Sequence, residues 1–197
     1  LALESGEPDQ ELLHLLAIIS NQAAFALTRA LMHEKIWRQS ITDCKTGLYN
    51  FHHFQKQCEK KISQDKQLAI LMLDLDDFKS FNDNFGHLKG DQALAAIGRE
   101  IRKIIRKEDI AARYGGEEFV IALPETGYNQ AWQVAERIRQ SISQLEVGVS
   151  GKLTTSIGLA ISPTDGTTFE QILSQADKAL YQAKEQGKNK ICSASRR

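Results

Sequence analysis

Between Leu68 and Asp76 the chain reads Leu-Ala-Ile-Leu-Met-Leu-Asp-Leu-Asp, and no other stretch limits the fold as much. Leu68 to Leu73 is the longest uninterrupted apolar run in the sequence. It has no polar alternation, so a strand made from it must be covered on both faces. Such a strand needs partners beside it and a layer of other elements above and below. It also ends in carboxylates, Asp74, Asp76 and Asp77. Residues two apart in a strand share a face, which sets Asp74 with Asp76 and turns Asp77 away.

The rest of the chain supplies the covering layers. Helical patterns run from about Asn50 to Gln64, from Lys79 to Arg106 with interruptions near Gly86 and Gly90, from Tyr128 to Leu145 and from Phe169 to Glu185. Strands are predicted at Ile110 to Tyr114, Phe119 to Leu123 and Thr154 to Ile161, with Lys190-Ile191-Cys192 as a closing edge strand. Gly115-Gly116 between two apolar runs is a hairpin signal. The order predicts an α+β sandwich, a mixed sheet covered by helices. Ahead of it, Pro8 to about Ser40 is rich in helix formers and predicts one long helix with Asp9 as N-cap. Turn residues from Thr42 to Leu48 then mark a boundary. The expected division is residues 1–40 as a helix and 41–197 as the main domain.

In the long helix, Leu12, Leu16, Ile19, Ala23, Ala26, Ala30, His33 and Trp37 follow alternating steps of four and three. This is a coiled-coil-like seam with small residues in the middle and one polar exception, which predicts a homodimer through this helix. A helix packed on its own chain would show the same period. Composition narrows the partners. Lys plus Arg, 25, equals Asp plus Glu, 25, so no broad basic surface exists for a polyanion and no nucleic-acid partner is expected. Cys44, Cys58 and Cys192 are odd in number and far apart, which predicts free thiols in a reduced, cytoplasmic compartment. No uninterrupted apolar run approaches the ~20 residues of a bilayer span, so no membrane contact is expected. The chain opens on Leu1 without a secretory leader and reads as a piece of a longer protein.

The carboxylates carry the chemistry. Three acids in four positions repel one another unless a cation or hydrogen-bond donors offset them, and a hard divalent ion with oxygen ligands would do so. Alone, Asp74-x-Asp76-Asp77 is more often a solvated loop start. Glu117 and Glu118 follow the Gly-Gly pair at the hairpin tip, where adjacent acids gain nothing structurally. If the hairpin lies beside the first strand, a carboxylate from each can meet at one Mg²⁺, with glycines leaving room for a phosphate. That pattern suits phosphoryl or nucleotidyl transfer. Lys184 and Lys188, spaced i, i+4 beside Gly187, either meet phosphates or are a solvated helix end. Neither G-x-x-x-x-G-K-[ST] nor G-x-G-x-x-G occurs, so phosphates would rest on metal, backbone N–H groups and lysines.

Taken together, Arg113-Tyr114-Gly115-Gly116-Glu117-Glu118-Phe119 resembles the signature of the GGDEF family, the diguanylate cyclases, in a GGEEF form. Asp43-x-x-Thr46-Gly47-Leu48-x-Asn50 resembles the family's opening motif, and Asp74-x-Asp76-x-Phe78-Lys79-x-x-Asn82-Asp83-x-x-Gly86-His87-x-x-Gly90-Asp91 its nucleotide-binding stretch. The resemblance implies a palm-like domain akin to class III nucleotidyl cyclases. It implies that two GTP molecules are joined into cyclic di-GMP with release of two pyrophosphates across a homodimer. It gives Asp74, Glu117 and the Leu75 carbonyl to Mg²⁺ (or Mn²⁺), with Asp76 nearby. Asn82 and Asp91 would take the guanine edge, His87 would line the substrate site, and Phe78 and Lys79 would offer backbone N–H groups to phosphates. Lys184 and Lys188 would hold the outer phosphates, and Glu117, Asp74 and Lys184 are the expected catalytic residues. Arg106 and Asp109, an R-x-x-D, with Arg137, would form a product-inhibition site. By itself an R-x-x-D is usually a surface ion pair. Lys45 stands where the family usually has Leu and Phe51 where it usually has Arg, departures expected to touch local packing and not chemistry. The N-terminal helix more loosely resembles the end of a GAF sensor domain. The rival expectation is a non-catalytic receptor for GTP or cyclic di-GMP acting through a protein partner.

Overall fold

The computed structural model describes residues 10–62, 67–146 and 152–195, which fall into two compact units divided between Ser40 and Ile41. The second unit is built on a six-stranded sheet in the order β1-β3-β4-β2-β5-β6 among the described residues. Its elements are β1 (Tyr49–Asn50), α2 (Phe51–Ile62), β2 (Leu68–Leu75), α3 (Phe78–Phe85), α4 (His87–Ile104), β3 (Ile110–Gly115), β4 (Glu118–Pro124), α5 (Tyr128–Gln144), β5 (Thr155–Ser162), α6 (Phe169–Glu185) and β6 (Ile191–Ser193). The apolar strand β2 lies at the centre, antiparallel to β4 on one side and β5 on the other, and every one of its residues is buried. The outer pairs β1·β3 and β5·β6 are parallel, so the sheet is mixed as expected.

Strand alternation sorts the core into two layers. Ala69, Leu71, Leu73 and Leu75 of β2 join Phe119, Ile121 and Leu123 of β4 under α3, α4 and α5. Leu68, Ile70 and Met72 join Val120 and Ala122 under α2 and α6. A fully buried large aliphatic side chain stabilises by about 1.5–3 kcal/mol, so β2 holds both layers together. Its next residue on the second face is Asp74, which is thereby directed toward α6 and not into solvent.

Two details differ from the sequence reading. The helical region after β2 breaks only once, at Gly86, whereas Gly90 lies inside α4 and is buried. Gly90 serves a close approach, because a Cβ there would stand 1.9 Å from Oδ1 of Asn82. The two-residue strand β1 is too short to carry a period and so leaves no signal in the sequence. The three thiols are free, and burial pushes that of Cys58 far up.

The N-terminal unit is α1 (Gln10–Ile41). The predicted start at Pro8 and cap at Asp9 lie outside the described residues, and so do the side chains of the seam residues Leu12 and His33. Leu13, Leu16, Ile19, Phe25, Leu27, Leu31, Met32, Ile36 and Trp37 are all exposed. Leu13–Met32 is long and apolar enough to cross a membrane by length and composition, a property that the count of uninterrupted apolar residues does not register.

Candidate active site

The site forms where β2 ends and the β3–β4 hairpin turns. Register places Asp74 directly opposite Glu118, so these two carboxylates share the α6 face. Glu117, one residue earlier in the turn, lines a cleft on the other side, and its carbonyl receives the Leu75 N–H at 3.4 Å. The hairpin therefore lies beside the carboxylate strand, and its adjacent acids point to opposite sides. Lys184 of α6 meets Asp74, Nζ to Oδ2 2.7 Å. Burial pushes the Asp74 carboxyl above its ordinary range, with Lys184 opposing and Glu117 and Asp76 adding to the rise. Glu118 is raised for the same reason, by burial first and then by Asp74.

Asp76 is spoken for by the fold. Its Oδ1 accepts from Ser156 Oγ at 2.7 Å, and its Oδ2 accepts from Thr154 Oγ1 at 2.7 Å and the Asn189 N–H at 3.0 Å. It ties β2 to β5 and to the segment after α6. Asp77 is exposed in the turn after β2, and its Oδ1 takes Lys188 Nζ at 2.6 Å. Lys188 thus reaches the same strand end as Lys184, and the bond to Asp77 holds its ammonium above its ordinary range. Asp77 stands at φ 56° before α3 and makes no side-chain cap, which leaves the first N–H groups of that helix, those of Phe78 and Lys79, facing outward from a helix N-terminus.

Beside Glu117 the cleft encloses about 250 Å³, lined by Lys45, Phe78, Asn82, His87, Asp91, Leu94, Arg113 and Gly116. Four residues proposed for substrate, Phe78, Asn82, His87 and Asp91, are thus brought together. Phe78 is also among the lining residues, with its ring stacked on that of Phe81. Asn82 Oδ1 is buried and is the one such side-chain atom among the described residues with no hydrogen-bond partner. A polar group left so is one that a ligand can satisfy. Lys79 lies at the exposed start of α3 outside the cleft lining.

Lys45 corrects the expectation that its position concerns packing alone. It is an exposed cleft residue whose Nζ lies 2.6 Å from Asp91 Oδ1. Arg113 is a second residue whose part the sequence did not reveal. Its Nε and Nη2 donate to the Gly116 carbonyl at 3.0 and 2.6 Å, and its Nη1 pairs with Asp43 at 3.2 Å. Burial raises the Asp43 carboxyl, but bonds from Thr46 and Arg113 outweigh it and hold the group low. Sequence spacing signals neither contact, since 46 residues separate Lys45 from Asp91 and 70 separate Arg113 from Asp43.

The R-x-x-D segment is a tight turn after α4. Asp109 Oδ2 accepts the Arg106 N–H at 2.8 Å, and the Arg106 carbonyl accepts the Asp109 N–H at 3.2 Å. Burial raises the Asp109 carboxyl, while Arg106 and Arg137 oppose it, so Arg137 of α5 lies in reach of the same turn. Arg106 and Arg137 are both exposed, and Arg137 Nη2 donates to the Ile104 carbonyl at 3.4 Å.

Among the described residues no three His, Cys, Asp or Glu side chains converge as a cation cage. The donor set nonetheless fits a hard divalent ion. The Asp74 and Glu117 carboxylates and the Leu75 carbonyl offer oxygen atoms at one strand end, the donor type such an ion takes, and the Lys184 ammonium stands against Asp74 at 2.7 Å.

Comparison with known proteins agrees with this geometry. Residues 40–190 match the family described as diguanylate cyclase, GGDEF domain. The chain belongs to this family. It is 37% identical over 163 residues to diguanylate cyclase VdcA of Vibrio cholerae serotype O1, covering 80% of this chain and 48% of that protein. It is 37% identical over 188 residues to diguanylate cyclase A of Treponema denticola, covering 88% and 49%. The chain therefore spans about half the length of these curated relatives. Among solved structures, the coiled coil and GGDEF domain of DgcB from Caulobacter crescentus in complex with c-di-GMP superposes with TM-score 0.80 at 27% identity, covering 91% of this chain and 98% of that one.

Proposed function

We propose that this GGDEF domain is a diguanylate cyclase that condenses two GTP molecules into cyclic di-GMP and releases two pyrophosphates, with one GTP on each subunit of a homodimer. The observation that carries the reading is the position of Glu117. It is in electrostatic reach of Asp74 and lines the cleft that holds Asn82 and Asp91. Reacting phosphates and a recognised base would therefore lie on adjoining parts of one surface.

Each residue has work that its chemistry suits. The Asp91 carboxylate accepts from N1–H and N2–H₂ of guanine, a donor pair that adenine lacks, and the Asn82 amide satisfies its orphaned end on the same edge. Phe78 and His87 flank the base, and the free N–H groups of Phe78 and Lys79 face the phosphates. Lys184 and Lys188 neutralise the outer phosphates and hold the leaving pyrophosphate. Asp74, Glu117 and the Leu75 carbonyl are the ligands for Mg²⁺, or Mn²⁺ in its place. Such an ion, when bound, neutralises phosphate charge and acidifies the attacking 3′-hydroxyl. Glu117 is also the carboxylate placed to accept that proton. The exposed apolar length of α1 is the surface through which two copies pair. Residues 1–40 then act as the transmitting helix of a sensor and 41–197 as the cyclase.

Arg106, Asp109 and Arg137 are assigned to product inhibition. Asp109 fixes the turn, and the exposed guanidinium groups of Arg106 and Arg137 receive the product's phosphates and bases. The DgcB structure, a complex with c-di-GMP, supports a product site in a similar fold.

The deciding experiment incubates dimeric protein, freed of bound nucleotide, with GTP and Mg²⁺ and separates the products. Cyclic di-GMP is expected, with Glu117→Ala losing at least about 100-fold of the rate, in the range for loss of a catalytic acid or base. Dimeric protein that binds GTP and yields no cyclic di-GMP would be a receptor, and the cyclase reading would fall. Arg106→Ala should leave turnover intact and raise the product concentration needed to inhibit it.

A further inference from the structure

Lys45 belongs to a loop built to hold it still. Asp43 Oδ1 accepts both the Thr46 N–H and Thr46 Oγ1 at 2.8 Å, and Thr46 is buried against Gly98 of α4, where an added Cβ would come within 2.6 Å of the Thr46 carbonyl. From this anchored loop the lysine reaches across the cleft and sets its ammonium on Asp91 at 2.6 Å, with 46% and 43% of the two side chains exposed. An exposed ion pair of this kind contributes at most about 1 kcal/mol to stability. Its position is more telling than its energy. The pair lines the same cleft as Asn82 and Glu117.

The chemistry of guanine leaves one group that Asp91 cannot serve. On the pairing edge, N1–H and N2–H₂ are donors and suit a carboxylate, but O6 beside N1 is an acceptor and would face a negative charge unaided. Of the cations lining the cleft, Arg113 is committed to Asp43 and the Gly116 carbonyl, whereas Lys45 is bonded to the base-reading carboxylate itself. An ammonium has three N–H donors, so one can stay on Asp91 while another turns to O6. We propose that Lys45 is a specificity-determining residue that donates to O6 of guanine, making Lys45 and Asp91 a joined donor–acceptor pair that reads the whole edge. This rests on the reading of the cleft as a guanine-nucleotide site. Adenine opposes both members at once, presenting an amino donor to the ammonium and an unprotonated N1 to the carboxylate.

The test uses the full chain and nucleotides that do not react, GDP and 6-thio-GDP, which differ only in replacing O6 by a weaker acceptor, with ADP as the third probe. Binding is measured by calorimetry for the wild-type protein, Lys45→Met, Lys45→Leu and Asp91→Asn. A charge-assisted hydrogen bond corresponds to about 10- to 100-fold in affinity. Lys45→Met and Lys45→Leu should weaken GDP by about that factor and barely move 6-thio-GDP. The wild-type preference for oxygen over sulfur should then collapse to within about twofold, and discrimination against ADP should fall with it. GDP bound equally or more tightly by Lys45→Met would show the lysine to be a plug that the base displaces, and would overturn the proposal. An unchanged oxygen-over-sulfur preference would do the same. Asp91→Asn separates the two levels. If it weakens GDP while Lys45→Met does not, only the role of Lys45 fails, and if it leaves GDP untouched, the guanine reading of the cleft fails and takes this one with it.

Discussion

Asp74 and Asp76 are two residues apart, both nearly buried at 8% and 6% exposure, and yet they do opposite jobs. Asp76 has both oxygens filled by Ser156, Thr154 and the Asn189 N–H, so Asp76→Ala strands three donors and should cost about 2–4 kcal/mol in chemical denaturation. The Asp74 carboxylate pairs with Lys184, and burial keeps it above the ordinary range. The folded state therefore holds the Asp74 proton more firmly than the unfolded chain does. Its contribution to stability is fully present below the ordinary aspartate range and is lost as pH rises through the raised folded value. Asp74→Asn removes this loss and should stabilise the protein relative to wild type more at pH 7.5 than at pH 4.5, while abolishing cyclic di-GMP synthesis. A stability difference that is equal at both pH values, or that grows on acidification, would show that burial does not dominate at Asp74. Strand alternation places both aspartates on one face, but β2 ends at Leu75 and Asp76 lies in the turn beyond it. Alternation does not reveal that Asp76 is held by the fold, because its partners Thr154, Ser156 and Asn189 lie 78, 80 and 113 residues away. A separation of 46 residues likewise hides the pairing of Lys45, which the motif presents as a packing variant and the fold delivers to Asp91.

At the level of elements, α6 is the part on which the site depends most closely, and Gly158 of β5 is the reason it can sit where it does. A Cβ at Gly158 would stand 2.0 Å from the Ala176 carbonyl and 2.3 Å from the Leu180 N–H, both in the backbone of α6. Neither can yield as a flexible side chain would, so the helix must move. Gly158→Ala should destabilise the domain by about 3 kcal/mol and, by shifting α6, carry Lys184 away from Asp74. The checks are a denaturation midpoint and the rate of cyclic di-GMP formation, and a variant with full stability would contradict the close packing. The helix is well defined at its other end by a capping box, Thr168 with Gln171. Elements of this kind were legible in the sequence. The apolar run of β2, the Gly-Gly hairpin and the span of α6 all follow from period and punctuation, since each is decided locally. What was not legible was decided between elements. Gly90 reads as a helix breaker and is instead the flat surface against Asn82, and β1 exists only because β3 offers it an edge.

For the whole molecule, the division at Ser40 separates the helical unit from a domain with two core layers, and no described residue of α1 belongs to either layer. The exposed apolar residues of α1, among them Leu16, Ile19 and Trp37 on the seam, form the kind of surface that marks a partner or membrane contact. Pairing two such helices would bury it and bring two cyclase domains within reach of each other. The proposed reaction requires this, because each of two GTP molecules must attack the other and a single cleft holds one. Rate should therefore follow the concentration of dimer and not that of chain. Introducing Ile19→Asp together with Ala26→Asp places charges on the seam in the full chain without touching the cleft. Sedimentation velocity should then report monomer, and cyclic di-GMP synthesis should fall by about tenfold or more at micromolar protein and rise with the square of protein concentration. The affinity for GDP should stay at the wild-type value, since each cleft is complete within one subunit. A variant that remains dimeric would locate the interface elsewhere, and a monomer that keeps full activity at every concentration would remove the need for a second subunit.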